Sequence, residues 1–304
     1  DPSFAEGTRA FKATAYSGTG STITIPTAFQ PDLIWTKRRD GSSGHVLQDR
    51  VNGITTHYLQ TQATDQLYGG TQGVTSTSAT GYTLGTGSGV NGSSKTFRTW
   101  AWDAGSGTST TTNTVGQRTS TIKVSQEAGI SIVKWTGSNG NGATVGHGLN
   151  AAPEFIIAHR LGGGQWPCYT KDGGPGKYMY FNSDIDERLY SHFWGGQNPT
   201  SSVFTTGSDS DVTNGDIIAY CFTPIPGFSA MGYYSGNNST DGPYINTGFA
   251  VAWLLTKNRS ASGDWHITDI AGSTFNAANN HLASNKLDGE SSFTSSGLDV
   301  DLLS

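Results

Sequence analysis

Charged residues make up only 13% of this 304-residue sequence, about half the share usual in soluble domains. The net charge is −5, and the only dense basic cluster is Lys37-Arg38-Arg39. A phosphate backbone needs a basic surface to displace its counterions, so no nucleic-acid partner is expected. No run of eighteen apolar residues occurs, so no helical membrane span and no membrane partner is predicted. Two cysteines, Cys168 and Cys221, cannot build a disulfide framework. Both fall in predicted strands, where a pair of buried free thiols is expected and a single bridge is the alternative.

The motifs of familiar enzyme chemistry are missing as well. There is no Gly-x-Ser-x-Gly elbow, no His-Glu-x-x-His and no P-loop. "GSGVNG" (Gly87–Gly92) has glycine-loop spacing, but it precedes a predicted strand and so offers no helix dipole to a dinucleotide. The seven histidines are dispersed, without local zinc spacing. "DIDER" places Asp184 and Asp186 on one face of a predicted strand, and solvated loop charges are the alternative to an acid/base pair. No enzyme is predicted.

What is present is glycine, 42 residues of it, together with 11% aromatics. That combination describes short strands joined by tight turns over ring-anchored cores. Three signatures recur along the chain. "FKATAYSG", "ISIVKWTG" and "FSAMGYYSG" open the copies at Phe11, Ile130 and Phe228. "AFQPDLIWTKRRDG", "GLNAAPEFIIAHRLGG" and "GFAVAWLLTKNRSASG" follow, and "KTFRTWAWDAG" and "DIIAYCFTPIPG" close the first two. Phe11–Ala104 and Ile130–Thr223 both span 94 residues, the size of a β-sandwich. Period-two alternation runs through "TFRTWAWD" and "FAVAWLLTK". The predicted fold class is therefore all-β: three tandem antiparallel β-sandwich modules, in which Trp35 matches Ile157 and Trp102 matches Phe222.

The expected boundaries are 1–104, 130–226 and 227–304, with 105–129 as a Ser/Thr/Gly linker. The third copy, 228–304, is 17 residues shorter than its sisters and lacks the closing strand. Unpaired backbone groups along that gap are costly, so the slot is expected to be filled. Candidate donors are continuation of the chain, residues 1–10, the 106–129 stretch or a neighbouring subunit.

"AGISIVKWTG…GATVGHGLNAAPEFIIAHR", "DIIAYCFTPIPGFSAMGYYSGNNSTDGPYINTGF" and "DWHITDIAG" resemble a family of tandem β-rich modules encoded by tailed phages of marine bacteria. The resemblance implies a virion-associated structural or fibre-like protein built from jelly-roll, concanavalin-like sandwiches, lying on the surface of an extracellular particle. It carries no catalytic residue to this chain. "GGGQWPCYTKDGGPGKYMYFN" is richer in glycine than that family's strand at the same place.

Candidate site residues follow from loop chemistry. Trp166, Trp194, Tyr68 and Tyr190 stand beside Gly, Gln or Ser and are candidate sugar-stacking rings, with core packing as the alternative. In "SDSDVTNGD", Asp209, Asp211, Asn214 and Asp216 resemble a Ca²⁺ loop, although the third ligand and the glycine come one step late for EF-hand spacing. Asn214-Gly215 is itself a type I′ hairpin signal, and no cofactor is expected. The expected function is structural and adhesive, in a tail fibre, appendage or capsid decoration. Its partners would be other virion proteins, a host surface glycan and further copies of itself, with a trimer as the first choice. A free-standing lectin and a polysaccharide depolymerase are the rivals.

Overall fold

Strand-period residues become strands almost everywhere, and among the described residues helix is confined to two single turns. The computed structural model describes residues 10–70, 73–140, 142–239, 242–273, 277–292 and 300–302. Residues 1–9, named above as possible strand donors, lie outside that set.

The first repeat holds β1 (Phe11–Ser17), β2 (Ile23–Pro26), β3 (Leu33–Arg38), β4 (Val46–Asp49), β5 (His57–Tyr58) and β6 (Tyr68–Gly69). It continues with β7 (Val74–Ser78), β8 (Gly81–Leu84), α1 (Ser88–Asn91) and β9 (Thr96–Trp102). The second begins with β10 (Thr111–Asn113), β11 (Ser120–Ser125), β12 (Ile130–Thr136), β13 (Ala143–Gly146) and β14 (Phe155–Arg160). It ends with β15 (Pro167–Thr170), β16 (Lys177–Tyr180), β17 (Arg188–Leu189), β18 (Val203–Thr206), α2 (Ser210–Thr213) and β19 (Asp216–Phe222). The third holds β20 (Trp253–Lys257), β21 (Trp265–Asp269), β22 (Asn280–Ala283) and β23 (Ser291–Ser292).

The protein is thus nearly all β and antiparallel, with sheets stacked as in a sandwich. In the first repeat β1-β9-β3-β4 faces β2-β8-β7 across Ile25, Ile34, Val74, Tyr82, Leu84 and Ala101. In the second, β10-β11-β12-β19-β14-β15-β16-β17 packs on β13-β18 across Val133, Trp135, Val145, Ile156, Phe204 and Ala219. The third contributes one sheet, β20-β21-β22-β23.

The first two repeats share a register. Leu33 pairs with Trp102 and Trp35 with Trp100; Phe155 pairs with Phe222 and Ile157 with Tyr220. Trp35 therefore corresponds to Ile157 and Trp102 to Phe222. In both repeats the closing strand lies between the first and second signature strands, so both of its edges are paired.

Three expectations are corrected. The 105–129 stretch is not a linker, because its β11 pairs residue for residue with β12. Ile122 and Val124, two apart in "STIKVS", face the core of the second repeat and dock the strand, which outweighs the polar composition around them. Lys123 Nζ also donates to the Ser106 and Gly107 carbonyls. "GSGVNG" forms the helical turn α1, in which buried Asn91 donates to the Ser21 and Gly85 carbonyls and accepts from Thr19 N. "FSAMGYYSG" is not a strand; Tyr233 and Tyr234 are exposed. Its counterparts β1 and β12 are strands because β9 and β19 pair with them, and among the described residues the third repeat has no such partner.

Cys168 and Cys221 are free and buried. They are neighbours of consecutive β14 residues, Cys168 opposite Ile157 and Cys221 opposite Ile156, and so face opposite sides of one sheet.

The β11–β12 turn depends on Gly129, whose φ is +65°. A Cβ there would strike the Thr223 carbonyl oxygen and the Ile225 side chain. Gly129→Ala is expected to lower stability by about 2 kcal/mol or more, read from the midpoint of a urea melt.

Candidate functional site

The inner faces of the three sheets converge on one shared core. Trp35, Trp100 and Leu47 come from the first repeat, Ile157, Cys168 and Tyr220 from the second, and Trp265, Ile267 and Leu282 from the third. Rings link all three: Trp35 lies 5.2 Å from Trp100 and 5.7 Å from Phe181, and Phe181 lies 5.2 Å from Trp265.

Around this core the repeats are joined by three backbone contacts of one design. Leu67 N donates to Leu161 O at 2.8 Å, Glu187 N to Arg259 O at 3.0 Å and Glu290 N to Arg39 O at 2.7 Å. Beside each stands a return bond: Gly164 N to Thr64 O at 2.9 Å, Gly263 N to Asp184 O at 2.8 Å, and Ser43 N to Leu287 O at 2.8 Å. The first repeat thus clasps the hairpin of the second, the second that of the third, and the third that of the first. The ring closes within one chain.

Side chains repeat the pattern. Arg39 grips Glu290 through Nε and Nη2, and Arg259 grips Glu187 in the same way. The corresponding pair between the first and second repeats is apolar, Leu161 with Leu67. Replacing a pair as a unit leaves no orphan charge, so both chemistries hold the same joint. Lys37 Nζ donates to Leu287 O and Lys257 Nζ to Asp184 O, and His159 Nε2, at the matching position, donates to Asp65 O. At the next shared position, Trp166 Nε1 donates to Ala63 O and Trp265 Nε1 to Tyr180 O. His45 takes that place in the first repeat. It accepts from Trp35 Nε1 at Nδ1, which leaves Nε2 to donate to Ala283 O.

Buried carboxylates mark two of the joints. Asp49 accepts from Tyr220 Oη at 2.9 Å and Asp269 from Trp100 Nε1 at 2.9 Å; Tyr220 and Trp100 occupy equivalent positions on the two closing strands. Each carboxylate also accepts the backbone N–H three residues on, from Asn52 and Gly272. Thr170 holds the third such position and accepts from Gly173 N. Asp269 and Glu290 both pair with Arg98, which is fully buried. Desolvation pushes the Asp49 carboxyl up and lowers the Arg98 guanidinium. Burial brings the Lys37 ammonium down to about 8, His45 to about 3 and His159 to about 4.

The predicted site residues are scattered across this architecture. Trp166 and Trp194 are buried, not presented to solvent. The nearby glycines serve tight turns, with φ of +94° at Gly163 and +59° at Gly195, and a turn composition does not expose the ring beside it. Tyr68 stacks on Tyr58 at 5.1 Å and donates to Asp65. Tyr190 is exposed and donates to Asp209 Oδ2 at 3.0 Å. It lies 4.9 Å from the His192 ring, which lines an open cleft of about 440 Å³ with Gln117, Ser191, Thr205 and Ser208.

Asp209, Asp211, Asn214 and Asp216 have separate partners. Asp209 caps α2 through Asp211 N, Asp211 accepts from Gln165 N, and Asp216 accepts from Thr136 Oγ1. Asn214 ends α2 with φ −107° and Gly215 follows at +67°, so this turn is type II in character and not the expected type I′. Among the described residues no three His, Cys, Asp or Glu side chains are grouped to hold a metal ion. Of "DIDER", Asp184 offers its carbonyl to Lys257 and Gly263, and Glu187 its carboxylate to Arg259.

Sequence reading missed the joints themselves. Aligning "SGH", "GQW" and "GDW" at 43–45, 164–166 and 263–265 would have marked them, since each opens the second strand of its hairpin. No curated protein and no solved structure matches the chain. The family described as a domain of unknown function, DUF7483, matches residues 6–304, and the chain belongs to it.

Proposed function

We propose that this protein is a non-enzymatic structural part of a tailed-phage particle, carried on the virion surface as a tail fibre, appendage or capsid decoration and serving host attachment. The observation that carries this reading is where the charged side chains go: Lys37, Arg98, Asp49, Asp269 and Glu290 join one repeat to another. A chain whose buried charges lock its own modules together is suited to mechanical service outside a cell. The phage-module resemblance of its signatures supports the same reading. Self-association, with a trimer as the first choice, and contact with other virion proteins belong to the proposal. Light scattering at working concentration tests the first of these, and a monomeric mass counts against it. Immunogold imaging of intact virions tests the whole: regular labelling supports it, while protein confined to lysate and absent from washed particles sinks it.

A second reading, a carbohydrate-binding module, is favoured by the cleft beside Tyr190 and His192. A glycan array should then show binding that Tyr190→Ala weakens roughly threefold to tenfold. An array without hits removes this reading and leaves the structural one standing. Release of reducing ends from host polysaccharide would instead favour a depolymerase.

A further inference from the structure

The ring has two filled closing-strand positions and, among the described residues, one without an occupant. β9 fits between β1 and β3, and β19 between β12 and β14. β20 corresponds to β3 and β14: Trp35 faces Leu47, Ile157 faces Cys168 and Leu255 faces Ile267 across the three second-signature hairpins. Among the described residues β20, however, pairs only with β21. The consequence shows in burial. β3 is buried along five of its six residues and β14 along four, whereas all five residues of β20 are half-buried. A second observation lies at the same edge. The Trp253 indole N–H is shielded from water and has no hydrogen-bond acceptor among the described residues. The flanking segment that should cover the far side of the slot exposes Tyr233 and Tyr234.

We propose that the free edge of β20 is the seat of an added β-strand, an extended segment of a partner polypeptide with the alternating chemistry of β9 and β19. Pseudo-symmetry specifies its register. A large apolar residue, as Trp102 and Phe222 are, lies opposite Trp253; an aromatic residue, as Trp100 and Tyr220 are, lies opposite Leu255. The residue opposite Leu255 directs its ring towards Thr170, because Tyr220 reaches Asp49 and Trp100 reaches Asp269 from equivalent positions. Small or β-branched residues occupy the alternate positions, as Thr99 and Ala101 do. A second copy of the chain is a poor donor. Its own closing strands are hydrogen-bonded on both edges, and giving one up would open a repeat. Strand addition of this kind supplies main-chain hydrogen bonds for affinity and alternate side chains for specificity.

The test uses the full chain and a synthetic peptide with the sequence of Lys95–Gly105, KTFRTWAWDAG, which carries a closing strand and no cysteine. A second peptide of the same sequence bears Trp100→Pro, which removes a ladder N–H and disfavours the extended pairing. Hydrogen exchange followed by mass spectrometry is read over residues 253–257. The expected result is that the first peptide slows exchange there by about tenfold or more and shifts Trp fluorescence to the blue, while the proline peptide does neither. Equal effects of both peptides, or protection confined to other strands, overturns the proposal. So does protection of 253–257 already present without peptide: where it rises with protein concentration the occupant is a second copy, and where it does not the occupant is a segment of the chain itself. Glycan binding and virion labelling are independent readouts, so failure here leaves the functional reading above untouched.

Discussion

Asp269→Ala is expected to lower the stability of the whole chain by about 3–5 kcal/mol, the cost of leaving a buried cation with part of its partnership removed. Asp269 is fully buried and accepts from Arg98, Trp100 Nε1, Ala271 N and Gly272 N. Removing its carboxylate leaves Arg98, equally buried, to Glu290 alone, and strips an indole and two turn N–H groups of their acceptor. Unlike an exposed ion pair, nothing here is rescued by water, and Gly272 sits directly against the guanidinium. The loss falls on the joint between the first and third repeats, so guanidinium melts followed by Trp fluorescence and by far-UV dichroism should shift together. A shift below about 1 kcal/mol would show that the Arg98 cluster does not hold this joint.

Acid should loosen the same ring. His45 and His159 are buried and neutral, brought by desolvation to about 3 and about 4 from an ordinary value of 6.5. Unfolded, both imidazoles titrate near 6.5, so below that pH the unfolded chain binds two more protons than the native one. The stability they confer is fully present above 6.5 and falls as pH drops through 6.5 towards 4. At pH 5 the two together cost about 4 kcal/mol relative to neutral pH, at about 1.4 kcal/mol per unit and group. Asp32 opposes this. Its carboxyl is raised to about 6 by burial, so the native state takes up its proton first on acidification and regains about 1 kcal/mol by pH 5. For these three groups together the expectation is a loss of about 2–3 kcal/mol between pH 7 and 5. His159→Gln, which keeps a donor for Asp65 O, should remove about 2 kcal/mol of that loss and so most of the slope. A profile that is level from 7 to 5 would refute the assignment of neutral, buried imidazoles to these joints.

Local pattern marked the signature strands of the first two repeats. "TFRTWAWD" alternates because Arg98, Trp100 and Trp102 face the shared core while Phe97, Thr99 and Ala101 face the interior of the first sandwich, and a strand's two-residue period is written in neighbouring residues. The equal spans of the first two copies likewise foretold their common register. Where composition was read in place of alternation, the reading failed: Ile122 and Val124 sit two apart inside a polar stretch and still make a sheet strand. Trp166 and Trp194 were misread because glycine marks a turn in the backbone and says nothing about which way the next ring points.

The ring was decided only by tertiary structure. Its bonds join Arg39 to Glu290 and Lys37 to Leu287 across some 250 positions, and Tyr220 to Asp49 across 171. No local propensity encodes such pairs, because each residue's role depends on a partner that arrives only when another repeat has folded. Lys37 and Arg39 read only as part of a dense basic cluster in sequence, and become buried or clamped cations once the third repeat supplies a carbonyl and a carboxylate. The same dependence explains "FSAMGYYSG": it carries the strand signature of its sisters, yet a strand exists only where a neighbour takes up its hydrogen bonds, and β1 and β12 have such a neighbour in β9 and β19.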